Sequence, residues 1–147
     1  MFSSHSRSVS IIVSHKIPDL EVIDTHRTND GRKVLVNVKL TSISKILSLI
    51  SIYAPNNDNE RTKFFEGCCN WIDKTSTDKS QIVMAGDFNT TYRAIDRPSG
   101  KIDKTSESFV DMMATLELLD TFAYLNEKQT KSTYIHPSIK SRNSHIE

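Results

Sequence analysis

Apolar and polar residues alternate along the first third of the chain in the pattern typical of β-strands. The β-branched segment SVSIIVS, residues 8–14, predicts a first strand. Residues 20–40 alternate on either side of Asn29-Asp30-Gly31, a sequence that favours a hairpin turn. The apolar run KILSLISIYAPN, which is ended as a strand by Pro55, predicts a central strand. We therefore expect four strands before the first helix.

After Pro55, the spacing of the apolar residues changes from every second position to nearly every fourth. Between Asp58 and Lys74, apolar residues recur at every fourth position and predict a helix. The continuous apolar segment QIVMAGD predicts a buried strand, and Ser106 is expected to cap a second helix. The apolar side of that second helix consists of Phe109, Met112, Met113, Leu116 and Leu119. Two short strand-like segments follow, STYIH and the terminal SRNSHIE.

This order of elements, β-β-β-β-α-β-α-β-β, indicates an α/β (α+β) fold. Hairpins mixed with helices favour packed sheets that are covered by helices. The chain has 147 residues and no repeat or internal linker, so we expect a single domain.

Composition narrows the classes of function without choosing one. Hydrophobic residues make up 37% and the formal net charge is +1, which fits a folded chain with no global field for nucleic acid or membrane. Cys68 and Cys69 are adjacent and predict no disulfide framework. The run Ile11–Val13 is too short for the core of a signal peptide. We expect an intracellular protein, in nucleus or cytoplasm, without a membrane span.

Two strand ends are the best candidates for chemistry. The four glycines form neither a P-loop nor a dinucleotide fingerprint, and the five histidines lack metal-ligand spacing. One strand end, SIYAPN, delivers Tyr53 and Asn56; the other, GDFN, delivers Asp87 and Asn89. A phenol, two carboxamides and a carboxylate suit hydrolysis of a phosphate ester. The alternative is that Tyr53 fills a core edge and that Asp87 to Asn89 form an Asx turn.

Two motifs and the helix between them resemble the endonuclease/exonuclease/phosphatase superfamily: SIYAPN, a helix of about four turns, and then IVMAGDFN. The segments DGRKVLVNV, GDFNTTYRAIDR and STYIHPSIKSR are most similar to the AP-endonuclease-like endonuclease domain of non-LTR (LINE-type) retrotransposons. The resemblance implies a four-layer sandwich of two mainly antiparallel β-sheets flanked by α-helices, of which this chain would be a part. It also implies a nuclease that nicks target DNA with Mg²⁺ as cofactor.

The resemblance assigns a role to each residue of the two strand ends. Tyr53 would contact the scissile phosphate, and Asn56 would hold its loop and the phosphate. Asp87 would position or activate the attacking water. Asn89 would orient Asp87 and bind the phosphate in the transition state.

The C-terminal basic segment supplies two DNA-binding candidates. Thr133, in STYIH, matches a DNA-contacting threonine of the retroelement enzymes. Arg142 belongs to a cluster of basic residues that suits either a phosphate-binding edge or a solvated tail.

The chain also departs from the family pattern at both ends. The opening segment with a metal-binding Glu has no match, and Ser144 stands where the family has an Asp. The closing Ser-Asp-His motif, which in the family supplies a phosphate-contacting His, is also unmatched. Because the opening Glu has no match, no metal ligand is assigned. We therefore expect residues 1–147 to be a truncated domain that is weak or inactive by itself. Two alternatives stay open: a non-catalytic remnant that binds nucleic acid or a partner, and a phosphoinositide- or sphingomyelin-type phosphoesterase.

Overall fold

The computed structural model describes residues 8–76, 81–97 and 99–126, which form four strands and three α-helices. The strands are β1 (Leu20–Arg27), β2 (Lys33–Leu40), β3 (Lys45–Tyr53) and β4 (Ile82–Asp87). The helices are α1 (Asp58–Thr75), α2 (Ser106–Thr115) and α3 (Thr121–Leu125), with a 3₁₀ turn at Ala94–Asp96. The mixed α/β class expected from the sequence is confirmed.

The strands form one sheet in the order β1-β2-β3-β4. The pairs β1–β2 and β2–β3 are antiparallel, whereas β3 and β4 run parallel because α1 connects them. The expected hairpin forms over Thr28–Arg32, where Gly31 has a φ of 69° and the Thr28 N–H donates to the Lys33 carbonyl at 3.0 Å. The sheet therefore carries the carboxyl ends of β3 and β4 at the same edge.

Helices α1 and α2 cover one face of the sheet. Their apolar sides meet alternate residues of β2 and β3, as the helical period of the sequence predicts. Phe65 of α1 is fully buried and lies with its ring centroid 5.3 Å from that of Phe109 in α2. The buried core consists of Leu35, Ile50, Ile52, Ala54, Phe64, Phe65, Cys68, Ile72, Phe109 and Met112. Cys68 is a free, buried thiol, as expected.

A group of polar residues joins the same sheet to α1, and we call it the closed cluster: Asp24, Asn37, Ser48 and Ser76. Asn37 and Ser48 are buried at its centre, and Asp24 and Ser76 are partly exposed. Asn37 donates to the Asp24 carboxylate at 2.6 Å and to the Thr75 carbonyl at 3.0 Å. Ser48 donates to Asn37 at 2.7 Å, and its hydroxyl also lies 2.7 Å from that of Ser76. These bonds fasten the carboxyl end of α1 to the sheet.

Three expectations from the sequence are wrong in detail. QIVMAGD does not form a buried strand: β4 is the last strand of the described sheet, and Val83 is 52% exposed. Residues 8–14 are not a strand: the Val9 N–H bonds the Gly31 carbonyl at 3.1 Å, but no ladder follows, and Ile12 is 93% exposed. High β-propensity does not make a strand without a partner edge. Ser106 is the first residue of α2, not its cap; Thr105 holds the cap position, and the helix ends at Thr115, before the exposed Leu119.

Other expectations fall outside the described residues. STYIH and SRNSHIE belong to residues 127–147, and the described part of the chain contains a single sheet, so the second sheet stays a prediction. Among the described residues, no helix combines the length and apolarity needed to cross a membrane.

Candidate active site

Tyr53 and Asp87 lie side by side at the carboxyl ends of β3 and β4. Each is the last residue of its strand, and the two are partners in the parallel register. Ile50 and Met84, three positions earlier, are also register partners and pack in the helix-covered core. Because side chains alternate along a strand, Tyr53 and Asp87 both point to the opposite face, away from α1 and α2. The structure thus brings together the two strand ends that the sequence singled out.

An open cleft of about 380 Å³ lies at this strand edge. Tyr53 and Asp87 line it together with Ser51 of β3, and Ser8 and Val9 form part of its wall. Asp87 is exposed and Tyr53 is half-buried, so both polar groups are accessible to a ligand.

Asn89 fixes the loop that follows Asp87. Its N–H donates to Asp87 Oδ1 at 3.0 Å, which closes an Asx turn, and its φ is 49°, a conformation that Asn tolerates better than most residues. Its side-chain amide donates to the Ala54 carbonyl at 2.7 Å. The GDFN segment is therefore both a turn and part of the cleft, and Asn89 ties the loop after β4 to the loop after β3.

Gly86 is required by the close approach of β3 and β4 at the site. It has a φ of 146°, and a Cβ atom there would lie 2.0 Å from the Ile52 carbonyl oxygen. Any other residue would push the strands apart one position before Asp87.

The loop after β3 is held from beneath by Arg61, a residue that the sequence analysis missed. Arg61 is only 5% exposed and donates to the carbonyls of Pro55, at 3.1 Å, and of Asn56, at 2.9 Å. It also bonds the Asp58 carboxylate. Asn56 is exposed, and its main chain is fixed by Arg61.

Arg61 also connects the two strand-end loops through two threonines. Its Nε donates to the Thr105 hydroxyl at 2.9 Å, and that hydroxyl lies 2.9 Å from the hydroxyl of Thr90. Thr105 is buried at the start of α2, and Thr90 directly follows Asn89. Nothing in the local sequence distinguishes Arg61 from an ordinary cation on a helix surface. The helical spacing of apolar residues therefore does not indicate that Arg61 is buried.

Arg32 is a second residue that sequence reasoning missed. It lies at the start of β2, where its carbonyl accepts the Tyr53 N–H at 2.9 Å. Its guanidinium stands 5.3 Å from the centroid of the Tyr53 ring and donates to the Tyr53 carbonyl at 3.2 Å. We call Arg32, Tyr53 and Asp87 the strand-end row. This row becomes visible only from the register of β2 against β3, and strand register cannot be predicted from a single segment of sequence.

Carboxylates near the site are engaged in their own loop. Asp103 accepts from the Thr91 N–H at 2.6 Å and from Arg97 at 2.7 Å, and Asp96 lies 3.6 Å from Arg93. Among the described residues, no three His, Cys, Asp or Glu side chains are grouped so as to hold a metal ion.

Behind this loop, Tyr92 donates to Asp120 at 2.9 Å. Burial and the Asp120 carboxylate raise the pKa of Tyr92 to about 12. The predicted DNA-binding residues Thr133 and Arg142 lie outside the described part of the chain.

Comparison with known proteins adds one informative relative. The chain is similar to part of a transposon protein. It is 28% identical over 127 residues to the Transposon TX1 uncharacterized 149 kDa protein of Xenopus laevis, which covers 86% of this chain and 9% of that protein. The chain thus spans about a tenth of the relative's length. No family model matches the sequence.

One solved structure with a related arrangement is TDP2 of D. rerio, crystallised with a single-strand DNA product. The match covers 76% of this chain and 42% of the TDP2 chain, with 15% sequence identity and a TM-score of 0.43.

Proposed function

We propose that this chain is the phosphate-binding part of a retrotransposon-type DNA endonuclease of the endonuclease/exonuclease/phosphatase superfamily. The observation that carries the proposal is the pairing of Tyr53 with Asp87 at adjacent ends of parallel strands, on one open cleft. Similarity over 127 residues to a transposon protein supports the retroelement assignment. The motifs SIYAPN and GDFN support the superfamily.

Each side chain has a distinct task in this proposal. The Tyr53 hydroxyl donates to a non-bridging oxygen of the phosphodiester, where negative charge grows in the transition state. Asp87 accepts a hydrogen bond from the attacking water and takes its proton. The water oxygen bonds to phosphorus while the bond to the departing sugar oxygen breaks, and that oxygen gains a proton.

The two asparagines mainly position Asp87 and the phosphate. The Asn89 N–H fixes one oxygen of Asp87 and leaves the other without a partner among the described residues. The second amide hydrogen of Asn89 and the exposed side chain of Asn56 are additional donors for the phosphate.

The described residues do not by themselves fit a resident Mg²⁺ ion. Mg²⁺ requires oxygen ligands in near-octahedral geometry, and Asp87 is not grouped with two further ligand side chains in the described ranges. Mg²⁺ belongs to the proposal as the cofactor that the resemblance implies.

Plasmid nicking tests the proposal. The 147-residue chain, incubated with supercoiled plasmid and Mg²⁺, should bind the DNA but nick it no faster than Asp87→Ala. The chain has no residue matched to the family's metal-binding Glu or closing His. Each such loss should cost about 3 kcal/mol of transition-state stabilisation, and two should slow cleavage by about four powers of ten.

The other outcomes separate the alternatives. Rapid nicking that disappears in Asp87→Ala would show a working centre and refute the expectation of weak activity. Absence of DNA binding, with hydrolysis of a phosphoinositide or sphingomyelin, would refute the DNA assignment. Binding that is indifferent to Tyr53→Phe and Asp87→Ala would favour a remnant that binds DNA elsewhere.

A further inference from the structure

We propose that Arg32 is a phosphate-binding residue of this site and that its guanidinium clamps the sugar-phosphate backbone of the DNA held by Tyr53 and Asp87. The inference rests on the proposed function, since it names a further contact to the same nucleic acid. Its substrate class is a phosphodiester chain.

Register places Arg32 in line with the other two side chains. Lys33 pairs with Ile52, so Arg32 stands opposite Tyr53, which itself pairs with Asp87. Neighbouring strands lie about 4.8 Å apart, so the strand-end row extends about 10 Å across the sheet edge. A cation, a phenol and a carboxylate thus follow one another on the face that points away from α1 and α2.

The Arg32 guanidinium is held in place by two contacts with Tyr53. One N–H donates to the Tyr53 carbonyl, and the Tyr53 ring supports the planar group. Its other N–H groups have no hydrogen-bond partner among the described residues. The Asp30 carboxylate, which accepts the Arg32 main-chain N–H at 3.2 Å, attracts the guanidinium electrostatically without bonding it. Arg61 and Arg97 differ, since each bonds a carboxylate. A planar, oriented guanidinium with free N–H groups suits bidentate contact with phosphate.

The next residue along the strand shows what a structural cation looks like in this sheet. Lys33 points to the helix-covered face, where its Nζ lies 4.8 Å from the centroid of Phe64 and 5.6 Å from that of Trp71. Lys33 is therefore enclosed by aromatic rings, whereas Arg32 faces the cleft side. The two adjacent cations serve opposite faces, and only Arg32 can meet a ligand of the strand-end row.

A binding measurement with a matched control tests the inference. We would record the fluorescence anisotropy of a fluorescein-labelled DNA duplex, over a range of salt and without Mg²⁺, for the unaltered chain, Arg32→Gln, Arg32→Lys and Lys39→Gln. Lys39 is an exposed cation on the same strand, about 23 Å away, so Lys39→Gln removes an equal charge.

Arg32→Gln should weaken binding about tenfold, as loss of one charge-assisted contact does, and lower the salt slope by about 0.9. Lys39→Gln should change neither. Arg32→Lys should keep the salt slope but lose affinity, because an ammonium cannot make the bidentate contact. A purely structural role for Arg32 would lower the melting temperature without changing the slope. If Arg32→Gln does not fold, Arg32→Lys decides the question alone.

The failures are distinguishable. Equal effects of Arg32→Gln and Lys39→Gln, or no binding of the duplex by the unaltered chain, would overturn the inference. Arg32-dependent binding that Tyr53→Phe and Asp87→Ala leave unchanged would keep Arg32 as a phosphate-binding residue and refute the proposed role of Tyr53 and Asp87.

Discussion

The sheet contains two polar groups, the closed cluster and the strand-end row. They differ in how many of their hydrogen-bonding atoms have no partner among the described residues. In the closed cluster, Asn37 and Ser48 are fully buried and bond their neighbours within the sheet and α1. In the strand-end row, one Asp87 oxygen and several Arg32 donors have no partner among the described residues. Both groups sit on the same strands, only a few residues apart.

This difference separates polar groups that are satisfied within the fold from polar groups that are free to bind a ligand. Buried polar groups must be satisfied internally, and the described residues contain no buried side-chain polar atom without a partner. Free hydrogen-bonding capacity is tolerable only where water or a ligand can supply the partner. The strand-end row has such capacity on an open cleft, which makes it the place to look for binding.

Removing Arg61 should produce the largest loss of stability. Arg61→Met would leave two loop carbonyls, the Asp58 carboxylate and the Thr105 hydroxyl without their buried partner. We expect the free energy of unfolding to fall by about 3–5 kcal/mol in urea titrations. Lys63→Met, on the exposed side of α1, is the control and should change it by less than about 0.5 kcal/mol. A similar small effect of Arg61→Met would mean that the loops hold themselves.

Gly86→Ala tests whether the strand edge needs its close approach. The added Cβ would meet the Ile52 carbonyl, so we expect a loss of about 3 kcal/mol and weaker DNA binding. Gly67→Ala, in the middle of α1 with open space around it, should stabilise the chain by about 0.5–1 kcal/mol. Thermal unfolding of the two variants gives opposite signs if this account is right, and equal signs would contradict it.

A paired comparison of Asn37→Ala with Tyr53→Phe addresses the two polar groups directly. Asn37→Ala should cost about 2 kcal/mol of stability, because it removes a partner of the buried Ser48 hydroxyl and of the partly exposed Asp24 carboxylate, and should leave DNA affinity unchanged. Tyr53→Phe should change stability by about 0.5 kcal/mol or less and weaken DNA binding. Circular dichroism and fluorescence anisotropy measure the two quantities. If the variants exchanged these effects, the distinction between the groups would be wrong.

The smallest expected effect is a pH dependence at Tyr92. Its pKa rises from 10.0 to about 12 in the folded chain, so folding favours the protonated phenol. This stability is complete below pH 10 and disappears as pH rises towards 12. Tyr92→Phe should flatten the fall in unfolding free energy over that window, measured by urea titration. Tyr124→Phe, an exposed tyrosine of α3, is the control and should keep the slope.

Local pattern predicted much of the fold but little of the support of the site. The helix after Asp58 and the strand ending at Asp87 follow from periods that a single segment contains. Residues 8–14 have the composition of a strand but, among the described residues, bond the hairpin only through the Val9 N–H, since strand formation depends on a partner edge elsewhere in the chain.

The residues of the candidate site also fall into those that the sequence predicts and those that it does not. Tyr53, Asn56, Asp87 and Asn89 were predicted, because strand ends and turn residues are local features, and the structure gathers their loops. Arg61 and Arg32 were not predicted, because their partners lie in other segments: Thr105 lies far along the chain, and Tyr53 meets Arg32 only through strand register. Tertiary contact, not pattern, gives both arginines their roles.

The most direct test of the central claim is a crystal structure of the unaltered chain with a short DNA oligonucleotide. The account predicts one internucleotide phosphorus atom within about 5 Å of both the Tyr53 hydroxyl and the Asp87 carboxylate, the spacing of a shared, positioned substrate. The backbone should continue over the Arg32 guanidinium. A DNA strand bound across the helices, with the strand-end row free of phosphate, would contradict the account.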